Sequence, residues 1–237
     1  MIKGSETARR RGMKPPLLFE RRRIPMAGKP VTDRNEKAGK KVVAALKARY
    51  FDAYYCATGE EAKKKALSLI KKTDVISWGG CMTAEEIGLM DVIREKYKTI
   101  DRDKAKSREE RLDLMRQAFF ADVFISGTNA ITEDGQLINI DGNGNRIAAM
   151  TFGPKSVIIV ASMKKVMPTV MDAMARARAV AATTNAQRFE IKTPCKMTGI
   201  CADCNSPDSI CNYFERIRRC NPPKKIKVIL IGEDFGY

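Results

Sequence analysis

The sequence predicts an α/β fold built on a mainly parallel, helix-covered sheet. Short β-rich segments alternate along the chain with amphipathic stretches of roughly 12–16 residues, the pattern of repeated strand-helix-strand units. Ser156-Val-Ile-Ile-Val160 is a continuous apolar run, as expected of a strand buried on both faces. A second such run, Lys227-Val-Ile-Leu-Ile231, closes the chain as a last sheet strand.

The first regular segment is a helix over Glu36 to Tyr50, with Val42, Val43, Leu46 and Tyr50 on one stripe and lysines around it. Asp52-Ala-Tyr-Tyr-Cys56 reads as a strand and Glu60 to Lys72 as a helix carrying Ala62, Ala66, Leu69 and Ile70. Asp74-Val-Ile-Ser77 is the next strand, followed by the turn Trp78-Gly-Gly-Cys81. A helix then opens at Thr83, which forms a capping box with Glu86 three residues on. Lys98 to Ile100 is a short strand, Ser107 to Ala121 a helix, and Asp122-Val-Phe-Ile-Ser126 an apolar strand. Glu133-Asp-Gly135 makes a hairpin turn into Gln136-Leu-Ile-Asn-Ile140, a local antiparallel element. Asp141-Gly-Asn-Gly-Asn145 is a second turn, and Pro168 stands near the first turn of a helix running to about Ala182.

Composition excludes several chemistries. The 237 residues hold 44 Lys plus Arg, 28 Asp plus Glu and no His, a formal charge of +16. Without imidazole there is no Ser-His-Asp or Cys-His catalysis and no His-ligated metal, so acid-base work falls to carboxylates, Lys, Tyr or thiols. The charge is uneven. Residues 1–35 carry ten basic and three acidic side chains, including two Arg triplets, beside a Pro pair and the single apolar cluster Leu17-Leu-Phe19. Residues 1–31 are accordingly expected to be a disordered basic arm, and 32–237 a folded α/β domain. No secretory h-region and no apolar run of membrane-spanning length occurs, which points to a cytoplasmic protein. Nucleic acid is disfavoured as a partner: nearly half of the excess charge sits in the arm, the rest is spread over helix faces, and aromatic interleaving is sparse.

In open α/β sheets ligands bind beyond the carboxyl ends of strands. The loop Ser77-Trp-Gly-Gly-Cys-Met-Thr83 leaves a strand and enters a helix; Gly79 and Gly80 let backbone amides approach an anion, although a Gly pair also serves a plain tight turn. A second loop set, Gly127 to Gly135 and Asn139 to Arg146, gathers small and amide residues beside Asp134, Asp141 and Arg146. The candidate ligand residues are Gly79, Gly80, Thr83 and Glu86 on the first loop, and Gly127, Asn129, Asp134, Gly135, Asn139 and Gly142 on the second.

Five of the seven cysteines fall between Cys195 and Cys220. Cys195, Cys201, Cys204 and Cys211 lie in a turn-rich loop, residues 194–212, with spacing C-x5-C-x2-C-x6-C. Thiols this dense in a cytoplasmic chain favour metal over disulfides. Four thiolates without His suit a 4Fe-4S cluster or, alternatively, a tetrahedral zinc, while redox-active thiols or reduced cysteines with no cofactor are the remaining readings. Cys56 reads as a buried small apolar residue, and Cys81, at the first loop, as a packing residue before a reactive thiol.

From about Thr32 to Tyr237 the sequence resembles the LUD domain (lactate utilization protein) family. The resemblance rests on Ser77-Trp-Gly-Gly-Cys-Met-Thr-Ala-Glu-Glu-Ile-Gly88, Gly127-Thr-Asn-Ala-Ile-Thr-Glu-Asp-Gly-Gln-Leu-Ile-Asn-Ile-Asp-Gly142, Phe152-Gly-Pro-Lys-Ser-Val-Ile-Ile-Val160 and Thr198-Gly-Ile-Cys-Ala-Asp-Cys-Asn-Ser-Pro207 with Ile210-Cys-Asn212. It implies the fold of glucosamine-phosphate deaminase, ribose-phosphate isomerase and CoA transferases (the NagB/RpiA/CoA-transferase-like fold), with the glycine and Asn loops lining a ligand site. It further implies the small single-domain type, lacking a ferredoxin-like extension, in a system that oxidises lactate and passes electrons through iron-sulfur partner proteins. Glu86-Ile-Gly-Leu-Met-Asp91 lacks the last Gly of the CoA-transferase Glu-x-Gly-x-x-Gly setting, so covalent CoA chemistry is not expected. Two functions follow as expectations: a redox or electron-transfer accessory protein with an iron-sulfur cluster or other metal on the four cysteines, or a binder or enzyme for a small anionic metabolite such as CoA, a sugar phosphate or a nucleotide.

Overall fold

The computed structural model describes residues 28–237. Helix α1 spans Lys29–Ala48, with Pro30 in its first turn, where a missing N–H costs nothing. Residues 29–31, assigned to the arm on composition, are therefore helical; the rest of the arm, 1–27, lies outside the described residues. Then follow β1 (Asp52–Cys56), α2 (Gly59–Ser68), β2 (Val75–Trp78), α3 (Met82–Glu86), α4 (Leu89–Lys96), β3 (Lys98–Thr99), α5 (Arg108–Gln117), β4 (Val123–Ser126), β5 (Ala130–Thr132) and β6 (Leu137–Asp141). The chain continues through α6 (Asn145–Thr151), β7 (Ser156–Ser162), β8 (Val166–Met167), α7 (Val170–Arg176), a π-helical stretch Ala177–Ala182, α8 (Thr183–Ala186), α9 (Pro194–Thr198), β9 (Tyr213–Ile217) and β10 (Ile226–Ile231).

Six strands form one sheet in the order β1-β10-β7-β4-β2-β3, with every neighbouring pair parallel. This is the predicted α/β class. Alternation along the two central strands separates two apolar layers. Val157, Ile159, Ala161, Val228 and Leu230 pack with Val42 and Leu46 of α1 and with Ala149 and Met150 of α6. Ile158, Val160, Ile229 and Ile231 pack with Ala62 and Ala66 of α2 and with Leu89 and Ile93 of α4. Burying a side chain such as Leu46 or Ile158 contributes about 1.5–3 kcal/mol, so the layers on both faces hold the strand ends, and any site on them, rigid.

A second sheet of four strands, β8-β5-β6-β9, extends the expected hairpin on both sides. β5 and β6 pair antiparallel, β9 adds antiparallel to β6, and β8 adds parallel to β5. Ala130, Ile138 and Ile140 of this sheet pack against Ala173 of α7 and Ala177. Gly135 holds the hairpin turn at φ 85°, and a Cβ there would lie 2.6 Å from the backbone of Ala45, so only glycine lets the turn rest on α1.

The capping box expected at Thr83 and Glu86 does not form. The helix starts one residue earlier, and the thiol of Cys81 is its cap, accepting a hydrogen bond from Ala84 N–H at 3.4 Å. Thr83 is buried inside the helix, and the Glu86 carboxylate accepts from the N–H of Gly236 at 2.7 Å instead. A capping box does form at the later helix, where Thr169 and Asp172 satisfy each other's backbone N–H groups at the start of α7.

Candidate functional site: a cationic cleft at the strand ends

The carboxyl ends of β2 and β4 open into a cleft of about 460 Å³. Trp78, Gly79, Gly80 and Cys81 line it from the β2–α3 turn, and Gly127, Thr128 and Asn129 from the end of β4. Asp141, Gly142 and Arg146 come from the end of β6 and the start of α6, and Lys165 from just beyond β7. Arg102, Asp103 and Arg111 supply one flank; Arg188, Tyr237 and Ile210 supply the other. Five basic side chains thus face the cleft against the carboxylates of Glu85, Asp103 and Asp141.

Arg146 is the frame of this site. Its Nη1 donates to Gly127 O (3.1 Å) and Asn139 Oδ1 (2.9 Å), and its Nη2 donates to Asn129 Oδ1 (3.0 Å) and Ile140 O (2.8 Å). Its Nε lies 3.7 Å from Asp141 Oδ2, which also accepts the backbone N–H groups of Arg146 and Ile147 at the N-terminus of α6. Burial pushes the guanidinium pKa down, and the charges of Asp141 and Glu215 push it back. Glu215 stands behind this network, accepting from Asn139 Nδ2 (3.1 Å) and from Thr151, with burial holding its carboxyl above the usual range. Gly79 is required by close approach: a Cβ at that position would lie 2.6 Å from Cγ of Arg146.

Arg102 is placed very differently. Its side chain is mostly buried on the cleft wall, yet among the described residues its Nε has no hydrogen-bond partner and its one ion pair is a long 3.9 Å approach to Asp103. Asp103 is itself taken up by Arg111 at 3.0 Å and by Trp78 Nε1 at 3.4 Å. Burial raises the Asp103 carboxyl, but Arg102, Arg111 and the Trp78 hydrogen bond outweigh it and hold the group below the usual carboxylate range.

Lys165 lies at the inner end. It is 5% exposed, and its Nζ donates to Thr128 O at 3.4 Å. Burial lowers its pKa to about 8; the Cys81 thiol opposes that shift, while Arg176, Lys164 and Arg146 add to it. Cys81 is buried, its Sγ lies 3.8 Å from Val160 O, and burial raises its pKa, so it stands as a neutral thiol.

Of the residues singled out from sequence, Gly79, Gly80, Gly127, Asn129 and Gly142 line the cleft. Asn139 lies one layer behind, holding Arg146. Thr83 and Glu86 face Phe235 and Gly236 rather than the cleft, through the Thr83 hydroxyl to Phe235 O and through the Glu86 carboxylate. Asp134 and Gly135 occupy the far turn of the hairpin, where Asp134 pairs with Arg49. Sequence reasoning missed Arg102, Arg111, Lys165 and Arg188; Arg102, Lys165 and Arg188 had no signal beyond a position after a predicted strand or helix, and Arg111 lies within the predicted helix Ser107 to Ala121.

The Cys segment forms part of the same wall through Ser209 and Ile210. Asn212 N–H donates to Asp141 O (3.0 Å) and Asn212 Nδ2 to Gly142 O (2.9 Å), tying the segment to the end of β6, while Lys192 N–H donates to Asp208 (2.8 Å) within it. Cys195 falls in α9; Cys201, Cys204 and Cys211 lie in irregular chain beyond it, and all four are half-buried free thiols. They are electrostatic neighbours: Cys211 is pushed up to about 11 by burial and by Cys195, Cys201 and Cys204. Arg178, in the π-helical stretch, pairs with Asp203 at 2.5 Å and approaches Cys201 Sγ at 3.9 Å. Among the described residues, no three His, Cys, Asp or Glu side chains are set at metal-holding positions.

Fold and site define an α/β protein with a cationic cleft at the carboxyl edge of a parallel sheet. The LUD domain model matches residues 39–231, and the chain belongs to the LUD domain family. Among solved structures, a DUF162 family protein from Deinococcus radiodurans is similar at 14% identity, covering 84% of this chain and 98% of that one with a TM-score of 0.45. Ribose 5-phosphate isomerase A from Methanocaldococcus jannaschii is similar at 19% identity, covering 47% of this chain and 55% of that one with a TM-score of 0.30. No curated protein matches. Among the described residues no helix is long and apolar enough to cross a membrane.

Proposed function

We propose that this LUD domain binds a small anionic metabolite, a carboxylate or a phosphate, in the cleft between Arg102, Arg146 and Lys165. The observation that carries the reading is Arg102: a largely buried guanidinium whose Nε is unpaired has lost its hydration without a full replacement, a costly state that an incoming anion relieves. Gly80 leaves backbone room beside it, the nearest atom to a Cβ there being Arg102 Nη2 at 3.9 Å. The family's name directs the first trials to lactate and pyruvate, with CoA, nucleotides and ribose 5-phosphate as alternatives. Thermal unfolding with each tests the reading: a true ligand at about 100 times its Kd stabilises the fold by about 2.7 kcal/mol, and Arg102→Met abolishes that gain. Failure of every anion to stabilise the wild type removes the proposal.

A second reading concerns Cys195, Cys201, Cys204 and Cys211 as ligands of an iron-sulfur cluster or zinc, in a cytoplasmic lactate-oxidising system with iron-sulfur redox partners. The mutual influence of the four thiols supports it, and the all-thiol donor set suits either metal. Because the sulfurs are not gathered at ligating positions, binding would require the chain after α9 to close around the ion. Iron and zinc analysis of anaerobically purified protein tests this: stoichiometric metal lost in Cys204→Ser supports it, and metal-free wild type ends it.

A further inference from the structure

Buried lysines in folded proteins normally meet a carboxylate. Lys165 does not. No ion pair to it exists among the described residues, its single hydrogen bond is the 3.4 Å contact to Thr128 O, and Arg146 and Arg176 add like charge nearby. Its Nζ also lies under the last turn of the chain, where a Cβ on Gly236 would come within 3.4 Å of it. The amine is thus buried, without a counter-ion among the described residues, and on the wall of the same cleft as Arg102. Arg146 is in electrostatic reach of both.

We propose that Lys165 is the nucleophile of this cleft, forming an imine with the carbonyl carbon of a small anionic oxo compound, an oxo acid or a keto phosphate, whose acid group pairs with Arg102. The inference rests on the anion-binding reading of the cleft and assigns the ligand's second functional group. In the step, the neutral amine's lone pair forms the C–N bond. The carbonyl oxygen then departs as water with the two amine protons, leaving C=N, and no oxidant or reductant is needed. A desolvated amine lacking a carboxylate partner is the usual way a protein makes a lysine nucleophilic near neutral pH, and the lowered pKa of about 8 accords with it. The neighbouring thiol is not the competitor: Cys81 is committed to capping α3 and is held protonated by burial.

The test is reductive trapping of the full chain. Wild-type protein is incubated with pyruvate or with dihydroxyacetone phosphate in the presence of cyanoborohydride, then read by intact mass and peptide mapping. A single reduced adduct at Lys165, absent from Lys164 and lost in Lys165→Met, is the expected result. Trapping should strengthen as pH rises toward about 8, the groups facing the amine being Cys81, Arg146, Arg176 and Lys164. Adduct with pyruvate alone assigns an oxo acid, and with dihydroxyacetone phosphate alone a keto phosphate. Mapping of the wild type decides the question even if the variant does not fold. Adducts spread over exposed lysines, or none at Lys165, overturn the inference. If the same compounds still stabilise the protein thermally, anion binding survives and only the imine falls; if they do neither, both readings fall.

Discussion

Arg146 and Arg102 face the same cleft and differ in nearly everything else. Arg146 spends four hydrogen bonds on Gly127, Asn129, Asn139 and Ile140 and approaches Asp141. Among the described residues Arg102 has one long ion pair and an unpaired Nε. One guanidinium is a strut that the protein has completed from its own atoms, joining the two sheets where β4, β6 and α6 meet. The other is left incomplete. The difference teaches how to separate architecture from binding in a basic cleft: a buried cation whose acceptors are all internal holds the fold, and one whose acceptors are missing waits for an external group.

The largest effect should come from the strut. Arg146→Met leaves the Asn139 side-chain oxygen without its donor and removes the guanidinium beside Asp141, and breaking a buried charge pair by removing one partner typically costs about 3–5 kcal/mol. Denaturant unfolding checks this, and Arg146→Lys should rescue little, because one ammonium cannot reach four acceptors in a fork. A cost under about 1 kcal/mol would break the contrast between the two arginines.

Lys165 comes next, with the opposite sign. Its folded pKa of about 8 lies below the 10.5 of a free lysine, so the unfolded chain binds the extra proton and the folded state is penalised at lower pH. That cost is fully present below about pH 8 and fades as pH rises toward 10.5. Lys165→Met should therefore stabilise the protein at pH 7 by up to about 3 kcal/mol, with the gain shrinking across that window. A flat difference between pH 7 and 10 would show that Lys165 has a partner in solution.

The sheet was more legible in the sequence than the site, for physical reasons. Ser156-Val-Ile-Ile-Val160 announces itself because a central strand covered by helices on both faces is apolar nearly throughout. β9 does not: Tyr213, Phe214 and Arg216 on this edge strand are exposed or nearly so, leaving no alternation to read. α6 was hidden behind turn residues, since its cap is the side chain of Asp141, reaching forward from the end of β6. The α3 start was misplaced because a thiol, outside the usual capping set, took the role that Thr83 and Glu86 were expected to share. Gly79, Gly80, Gly127 and Asn129 could be found as strand-end loops. Arg102 and Lys165 could not, because in a chain with 44 basic residues a single cation carries no mark of burial until the fold closes over it.

Arg102→Met should sharpen the comparison from the other side. With few internal bonds to lose and a desolvated charge removed, stability should stay level or rise by roughly 1 kcal/mol, while stabilisation by an anionic ligand disappears. The pairing of unchanged folding with lost binding is what Arg146 variants cannot show.

The smallest effect belongs to Asp103, the carboxylate that partly occupies Arg102. Its side chain is 48% exposed, so solvent screens its pairs with Arg102 and Arg111, and Asp103→Asn should change stability by less than about 1 kcal/mol. The sign with pH follows from its lowered pKa: the carboxylate's contribution is present above the unfolded carboxyl pKa and is lost as pH falls through the folded one, so wild type and variant should converge in acid. Ligand binding should move the other way. With the internal competitor neutral, Arg102 and Arg111 are freer to meet an external anion, and titration should give a dissociation constant lower by roughly three-fold. Weaker binding in Asp103→Asn would mean that the carboxylate positions Arg102 for the ligand instead of competing with it, and the wall at Arg102 would then be as much a finished structure as the one at Arg146.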